Sequence, residues 1–172
     1  PGGNMLLSKR PEMFSPKNWP AYFSKSKGCF VWDLKGKKYT DVSLMGVGTN
    51  ILGYSNRKID KKIVKKINMG NMSTLNCPEE VELAKILLKL HPWKGMVKFS
   101  RTGGEAAAIS IRIARAFTKK DTILACGYHG WHDWYLASNL KSSKILNKHL
   151  LNNTLFQGVP KNLKKTINMF EY

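Results

Sequence analysis

Acidic residues are scarce in this chain: 11 of 172, against 29 lysines and arginines, which leaves a net charge of +18. Arginine is scarce as well, with only 5 of the 29 basic residues (Arg10, Arg57, Arg101, Arg112, Arg115). Base readout and bidentate phosphate clamping favour the arginine fork, and the lysines are spread along the chain rather than gathered in one tract. Both features argue against a nucleic-acid surface as the meaning of the charge. Long apolar runs are missing: nothing approaches the roughly 20 residues a membrane helix needs, and the most apolar windows are broken by charge, as in KILLKLHPWKGM. A membrane-spanning helix is excluded, and no membrane partner is expected. No charged start with an apolar run and a small-residue cleavage site is present. Cysteine is sparse and scattered, at Cys29, Cys77 and Cys126. That excludes a disulfide framework and a zinc site and makes a reducing, cytoplasmic compartment the default. Each cysteine is expected to be a small buried hydrophobe. No G-x-S-x-G elbow or Walker A loop occurs.

What is present is enough apolar material for a core, with 42% hydrophobic and 10% aromatic residues. Residues 1–28 read as an extended arm with packed aromatics at Phe14, Trp19, Tyr22 and Phe23. Residues 30–33 and 38–42 are short β-prone runs around Lys35-Gly36, a hairpin signal. Residues 47–54, with two glycines, read as a loop. Residues 57–69 predict a helix, with Ile59, Ile63 and Ile67 on one face, lysines on the other, and a stop at Gly70-Asn71. A second helix opens at Asn76-Cys77-Pro78, with Asn76 as the candidate cap. It carries Val81, Ala84, Leu87 and Leu88 on one face and ends at His91-Pro92. Residues 96–100 (MVKFS) predict a strand, and 103–117 a long helix with Ile109, Ile113, Ala116 and Phe117 on its stripe. Residues 122–126 (TILAC) predict a strand buried on both faces of a parallel sheet. After Trp134 the pattern weakens, and residues 138–172 show no strong period. Helix, helix, strand, helix, strand is a βαβ grammar, so the fold class is α/β.

Chemistry concentrates at two junctions. Ser100-Arg101-Thr102-Gly103-Gly104-Glu105 passes from strand to helix. Glycines there let an anion approach the backbone, the first free N–H groups point at it, and the helix dipole favours negative charge. The Thr102 hydroxyl can add a donor. The same residues also fit a plain tight turn with Thr102 as N-cap. The second junction, Gly127-Tyr128-His129-Gly130-Trp131-His132-Asp133-Trp134-Tyr135, follows a strand at the end where ligands bind in open α/β sheets. An aromatic ring here can stack on a planar ligand and a histidine can hydrogen-bond it. Structural hydrogen bonding inside an aromatic cluster is the competing account of His129 and His132. Together, an anion cradle and an aromatic shelf suit a flat, phosphorylated cofactor.

Thr102-Gly103-Gly104-Glu105-Ala106, then Ile111-Arg112-Ile113-Ala114-Arg115, then Gly127-Tyr128-His129-Gly130 resemble the class III aminotransferases that use pyridoxal 5′-phosphate (PLP), in the branch of glutamate-1-semialdehyde 2,1-aminomutase. The hairpin from Val31 to Asp41, the loop from Gly46 to Gly53 and Pro1-Gly2-Gly3 fit the same branch. The resemblance implies a fold-type I PLP-dependent transferase acting on a small-molecule amino substrate as a homodimer. It implies that residues 1–56 contribute to a small domain and residues 57–172 begin the large cofactor-binding domain. It implies that Gly103 and Gly104 offer amides to the cofactor phosphate with Thr102 beside them. Tyr128 would stack on the pyridine ring with His129 next to it, and Glu105 would help order the cradle. Arg10 lies where relatives hold an arginine for the substrate carboxylate. The family's usual Ser-Gly-Thr reads Thr-Gly-Gly here, one hydroxyl fewer.

The family's chemistry also needs a lysine that carries the cofactor and moves protons, and an acid on the pyridinium nitrogen. After residue 130 the only acids are Asp133 and Glu171, and no lysine sits in the family's context. The expectation is therefore an N-terminal portion of the enzyme with no catalytic residue of its own. The other readings are a truncated non-catalytic relative and a basic polyanion-binding protein.

Overall fold

A computed structural model describes residues 6, 9–14, 17–93, 95–149 and 156–172. Pro1-Gly2-Gly3 lie outside the described residues. The chain forms two units, Pro1–Cys77 and Pro78–Tyr172.

In the first unit, β1 (Phe23–Lys27), β2 (Phe30–Asp33) and β3 (Lys38–Thr40) form an antiparallel sheet in the order β1-β2-β3. The hairpin from β2 to β3 is organised by Asp33. Its carboxylate accepts the amides of Lys35 and Lys37, each at 2.9 Å, and the Tyr39 hydroxyl at 3.1 Å. β1 corrects the expected arm. FSKSK has no apolar alternation to announce a strand, and only its pairing with β2 defines it. The arm's aromatics are also less packed than expected. Phe14 stacks on Trp19 at 4.5 Å, but Phe14, Trp19, Tyr22 and Phe23 all remain exposed. The loop that follows β3 returns to Gly28, which exchanges amide hydrogen bonds with Tyr54 at 2.9 and 2.8 Å. α1 (Arg57–Asn68) is capped by Asn56, whose side chain accepts from Lys58 and Ile59, and Gly70 follows its end at φ +91°. Its Ile59, Ile63 and Ile67 face forms as the spacing predicts, yet all three side chains are exposed.

The second unit opens with α2 (Pro78–Leu90), with Glu79 and Glu80 in its first turn. Ala84, Leu87 and Leu88 are half-buried, while Val81 is exposed. Residues 96–100 form no strand, because a strand exists through its ladder and no described residue pairs with them. α3 (Gly103–Thr118) and β4 (Ile123–Ala125) follow, then α4 (Asp133–Leu136) and a series of 3₁₀ turns, and β5 (Ile167–Met169) pairs with β4 in parallel. Two expectations about faces fail here. α3 packs through Ala107, Ala108 and Ile111, whereas Ile113 and Phe117 are exposed. β4 buries Ala125 but leaves Leu124 71% exposed. A helix apolar on more than one side and a wholly apolar strand do not say which face meets the core; the neighbours do.

The core itself lies mostly from Trp134 onward, where the sequence pattern weakens. Ala125, Trp134, Tyr135, Ala137, Leu146, Val159 and Ile167 form it. Arg115 staples it, donating through Nε to the Asp121 carbonyl at 2.8 Å and through a terminal nitrogen to the Thr166 carbonyl at 3.2 Å. The three cysteines are free, but Cys29 is exposed and Cys77 and Cys126 are partly so, which corrects their reading as buried hydrophobes.

Candidate functional site

At the start of α3 the side chains of Thr102 and Glu105 cap each other's backbone. Thr102 Oγ1 accepts the Glu105 amide at 3.1 Å, and the Glu105 carboxylate accepts the amides of Arg101 at 2.8 Å and Thr102 at 3.3 Å. This is a capping box. It decides how the first-turn donors are shared. The Glu105 amide serves Thr102, and the Arg101 and Thr102 amides serve Glu105. The amides of Gly103 and Gly104 are first-turn donors, for which the helix offers no acceptor. The Glu105 charge is held back on two amides outside the helix. Thr102 Oγ1 is used as an acceptor, so its proton is available for a further bond. The N-cap account of Thr102 and the anion-cradle account are therefore compatible.

The second segment leaves β4 at Cys126 and turns on two glycines, Gly127 at φ +82° and Gly130 at φ +92°, a region that side chains with a Cβ rarely adopt. Between them, Tyr128 is 48% exposed and meets Tyr135 edge-on at 6.3 Å. His129 places Nε2 2.7 Å from the Cys126 carbonyl. A carbonyl only accepts, so Nε2 carries the proton, and in the neutral ring Nδ1 is left as an acceptor. The His129 ring stands edge-on to Tyr135 at 5.7 Å and tilted to Trp134 at 5.8 Å. Tyr135 is wholly buried and donates its hydroxyl to the Gly127 carbonyl at 2.8 Å. Burial pushes its phenol up to about 12, against the opposing backbone hydrogen bond at His129 and with some help from Tyr128.

The two segments meet. A Cβ on Gly104 would lie 3.0 Å from His132 Nε2, and a Cβ on Gly130 would lie 3.7 Å from the Gly104 Cα. The strand-end loop is thus laid directly on the first turn of α3, glycine against glycine. Arg10 belongs to the other unit, where it is exposed and precedes the 3₁₀ turn Pro11–Met13. Tyr135 and the Gly104–His132 contact were not foreseen from sequence. Their only signal was the density of aromatics after Gly130. Trp134 adds an indole N–H that is buried and has no partner among the described residues. A concavity of about 400 Å³ lies elsewhere in this unit, lined by Ser138, Lys141, Lys144, Asn168 and Phe170. Lys141 bonds Asn168 across it. Among the described residues, no cluster of three or more histidines, cysteines or acids suits a metal ion, and no helix is long and apolar enough to cross a membrane.

A family model described as aminotransferase class-III matches residues 14–171. The 3-aminobutyryl-CoA aminotransferase of Cloacimonas acidaminovorans is 38% identical over 135 residues, 78% of this chain and 32% of its own length. The glutamate-1-semialdehyde 2,1-aminomutase of Sulfolobus acidocaldarius is 30% identical over 94% of this chain and 38% of its own. The chain spans about a third of the length of the curated relatives it matches. A solved structure of the FumI protein from Sphingopyxis sp. MTA144, in a form that holds PLP, superimposes with a TM-score of 0.73 at 23% identity, covering 91% of this chain and 34% of that one. At that identity the likeness is one of fold, and the fold is the PLP-dependent transaminase fold, fold-type I, that the motifs implied.

Proposed function

Because the chain belongs to the class III aminotransferase family, we propose that it holds pyridoxal 5′-phosphate for a protein that moves an amino group on a small-molecule amino substrate. The movement is either between two molecules, as in a transaminase, or within one, as in a 2,1-aminomutase. One observation carries the reading: the glycine turn at Gly104 and the loop bearing Tyr128 are in contact through Gly130 and His132. The first turn of α3 and the loop that carries the half-exposed Tyr128 therefore lie against each other, and the chemistry of the two segments fits the cofactor.

In this reading the Gly103 and Gly104 amides and the Thr102 hydroxyl take the phosphate, aided by the positive end of the α3 dipole. Tyr128 supports the pyridine ring, and His129, with Nδ1 free to accept, stands beside it. When bound, the cofactor supplies an electron sink for the substrate carbon. The part of this chain is to grip and orient. No lysine or acid here stands in the family's context for moving the proton, so we assign it no catalytic residue. Arg10 is the candidate for the substrate carboxylate. Three free cysteines support a reducing, cytoplasmic setting. The exposed apolar side chains of Ile113, Phe117 and Leu124 support further protein, a second copy included, as the packing partner of this layer.

The test is equilibrium binding of pyridoxamine 5′-phosphate to the full chain by calorimetry. This ligand cannot condense with the chain's many lysines, as an aldehyde would. Binding is expected, with loss of most affinity when pyridoxamine without phosphate is used. Tyr128→Ala should weaken it about fivefold, since ring stacking contributes on the order of 1 kcal/mol. Equal binding with and without phosphate, or no effect of Tyr128→Ala, would overturn the assignment.

A further inference from the structure

We propose that His132 is a positioning residue, a latch that holds the Tyr128 loop at a set distance from the amides of Gly103 and Gly104. The proposal rests on the cofactor reading above.

The backbone of His132 is anchored first. It holds the cap position of α4, and its carbonyl accepts the amides of Tyr135 at 2.9 Å and Leu136 at 3.1 Å. The ring is then wedged. Trp131 stands edge-on to it at 4.9 Å and 78°. In the direction of α3, the ring fills the volume a side chain at 104 would need. A Cβ there would lie 3.0 Å from Nε2 and 3.4 Å from both Cδ2 and Cε1. Such distances are at or inside ordinary van der Waals contact. A side chain at 104 would therefore press on the imidazole and the ring would have to give way, independently of any phosphate.

The loop carrying Tyr128 turns on two positive-φ glycines, Gly127 and Gly130. Glycines hold no conformation by themselves, so the position of Tyr128 depends on what pins each end. The Gly127 end is pinned by the Tyr135 hydroxyl at 2.8 Å. The other end is pinned where His132 and Gly130 meet Gly104. Releasing the His132 ring removes the wedge between this loop and the first turn of α3, while Tyr135 still holds Gly127 and His129 still holds the Cys126 carbonyl. The phosphate grip and the ring shelf would then lose their mutual register, which a ligand touching both must restore at the expense of affinity.

The test is a double-mutant cycle in the full chain with Gly104→Ala, His132→Ala and the pair. It reads pyridoxamine 5′-phosphate affinity, the induced circular dichroism of the bound ligand, and the amide chemical shifts of Gly103 and Gly104 in the free protein. His132→Ala should weaken binding about five- to tenfold and change the induced dichroism, which reports ring orientation rather than stability. Gly104→Ala alone should cost more than about tenfold, and in the His132→Ala background its additional cost should fall to about threefold or less, because the methyl then enters the space left by the ring. An equal cost of Gly104→Ala in both backgrounds, or unchanged affinity and dichroism in His132→Ala, overturns the latch. Failure of the parent chain to bind the ligand overturns the cofactor reading instead. The latch is then decided by the free protein, where His132→Ala must shift the Gly103 and Gly104 amides and is refuted if it leaves them in place.

Discussion

Replacing Tyr135 with Phe removes one oxygen from the largest side chain of the fully buried core, and its effect can be estimated from the surroundings. The hydroxyl donates to the Gly127 carbonyl at 2.8 Å, just past the end of β4. A buried hydrogen bond of this kind contributes about 1–1.5 kcal/mol net. The ring remains, so no cavity of note opens, whereas Tyr135→Ala deletes it and should cost about 3–5 kcal/mol. For a unit the size of Pro78–Tyr172, each kcal/mol lowers the melting temperature by roughly 4–8 °C. Urea unfolding of the full chain, followed by near-ultraviolet dichroism, should place the Phe variant about 1–1.5 kcal/mol below the parent at unchanged slope. A second readout is alkaline. Burial pushes the folded Tyr135 phenol up to about 12 from its ordinary value of 10.0. Between those values the unfolded chain gives up its proton first, so stability is full below pH 10, falls as pH rises to 12, and levels off above. The Phe variant should lose part of that decline. It keeps the remainder, because Tyr54 is also raised to about 12, by burial and then by its bond to the Asp41 carboxylate at 2.6 Å. A Phe variant within about 0.3 kcal/mol of the parent, with the same alkaline slope, would refute the claim that this hydroxyl ties the loop to the core.

Thr102→Ala removes the N-cap of α3 and should cost about 1 kcal/mol in thermal unfolding, with Thr102→Ser recovering most of it; equal losses in both would show that the cap bond is not what matters. Arg115→Lys cannot span the Asp121 and Thr166 carbonyls with one nitrogen, so about 1–2 kcal/mol should be lost and the Ile123 amide should exchange faster. Asp33 is held below its ordinary value of 3.8. Burial alone would raise it, but the Lys37 amide, Tyr39 hydroxyl and Lys35 amide outweigh that. The contribution of Asp33 is therefore present above the ordinary carboxyl value and lost as pH falls through the lowered one. Protection of the Lys35 and Lys37 amides from hydrogen exchange should fall as pH drops through that lowered value, and unchanged protection on acidification, or the same change in Asp33→Asn, would contradict it.

The parts legible in the sequence are those decided by neighbours along the chain. The turn around Lys35-Gly36, the isoleucine stripe of α1, the start of α3 at Thr102 and the glycine-bracketed loop after β4 follow from residues within a few positions of one another. The misreadings have a shared cause. Residues 96–100 have the composition of a strand and no partner among the described residues, while Phe23–Lys27 lacks the composition and has one. α3 is apolar on two sides, so its period could not say that Ala107, Ala108 and Ile111 face the core and Phe117 does not.

Residue identity and spacing laid out the chemical inventory of this protein: two glycines at the start of a helix, and a tyrosine and a histidine between two glycines after a strand. Backbone conformation within a few residues is a local matter, and local sequence carries it. Tertiary structure alone decided that Gly104 and His132 touch, that the Tyr135 hydroxyl anchors Gly127, and that the polar, aperiodic stretch after Trp134 supplies Leu146, Val159 and Ile167 to the core. Those contacts join residues far apart in the chain or on opposite sides of a turn. They depend on which surfaces the folded layers press together, and periodicity along the chain holds no record of that.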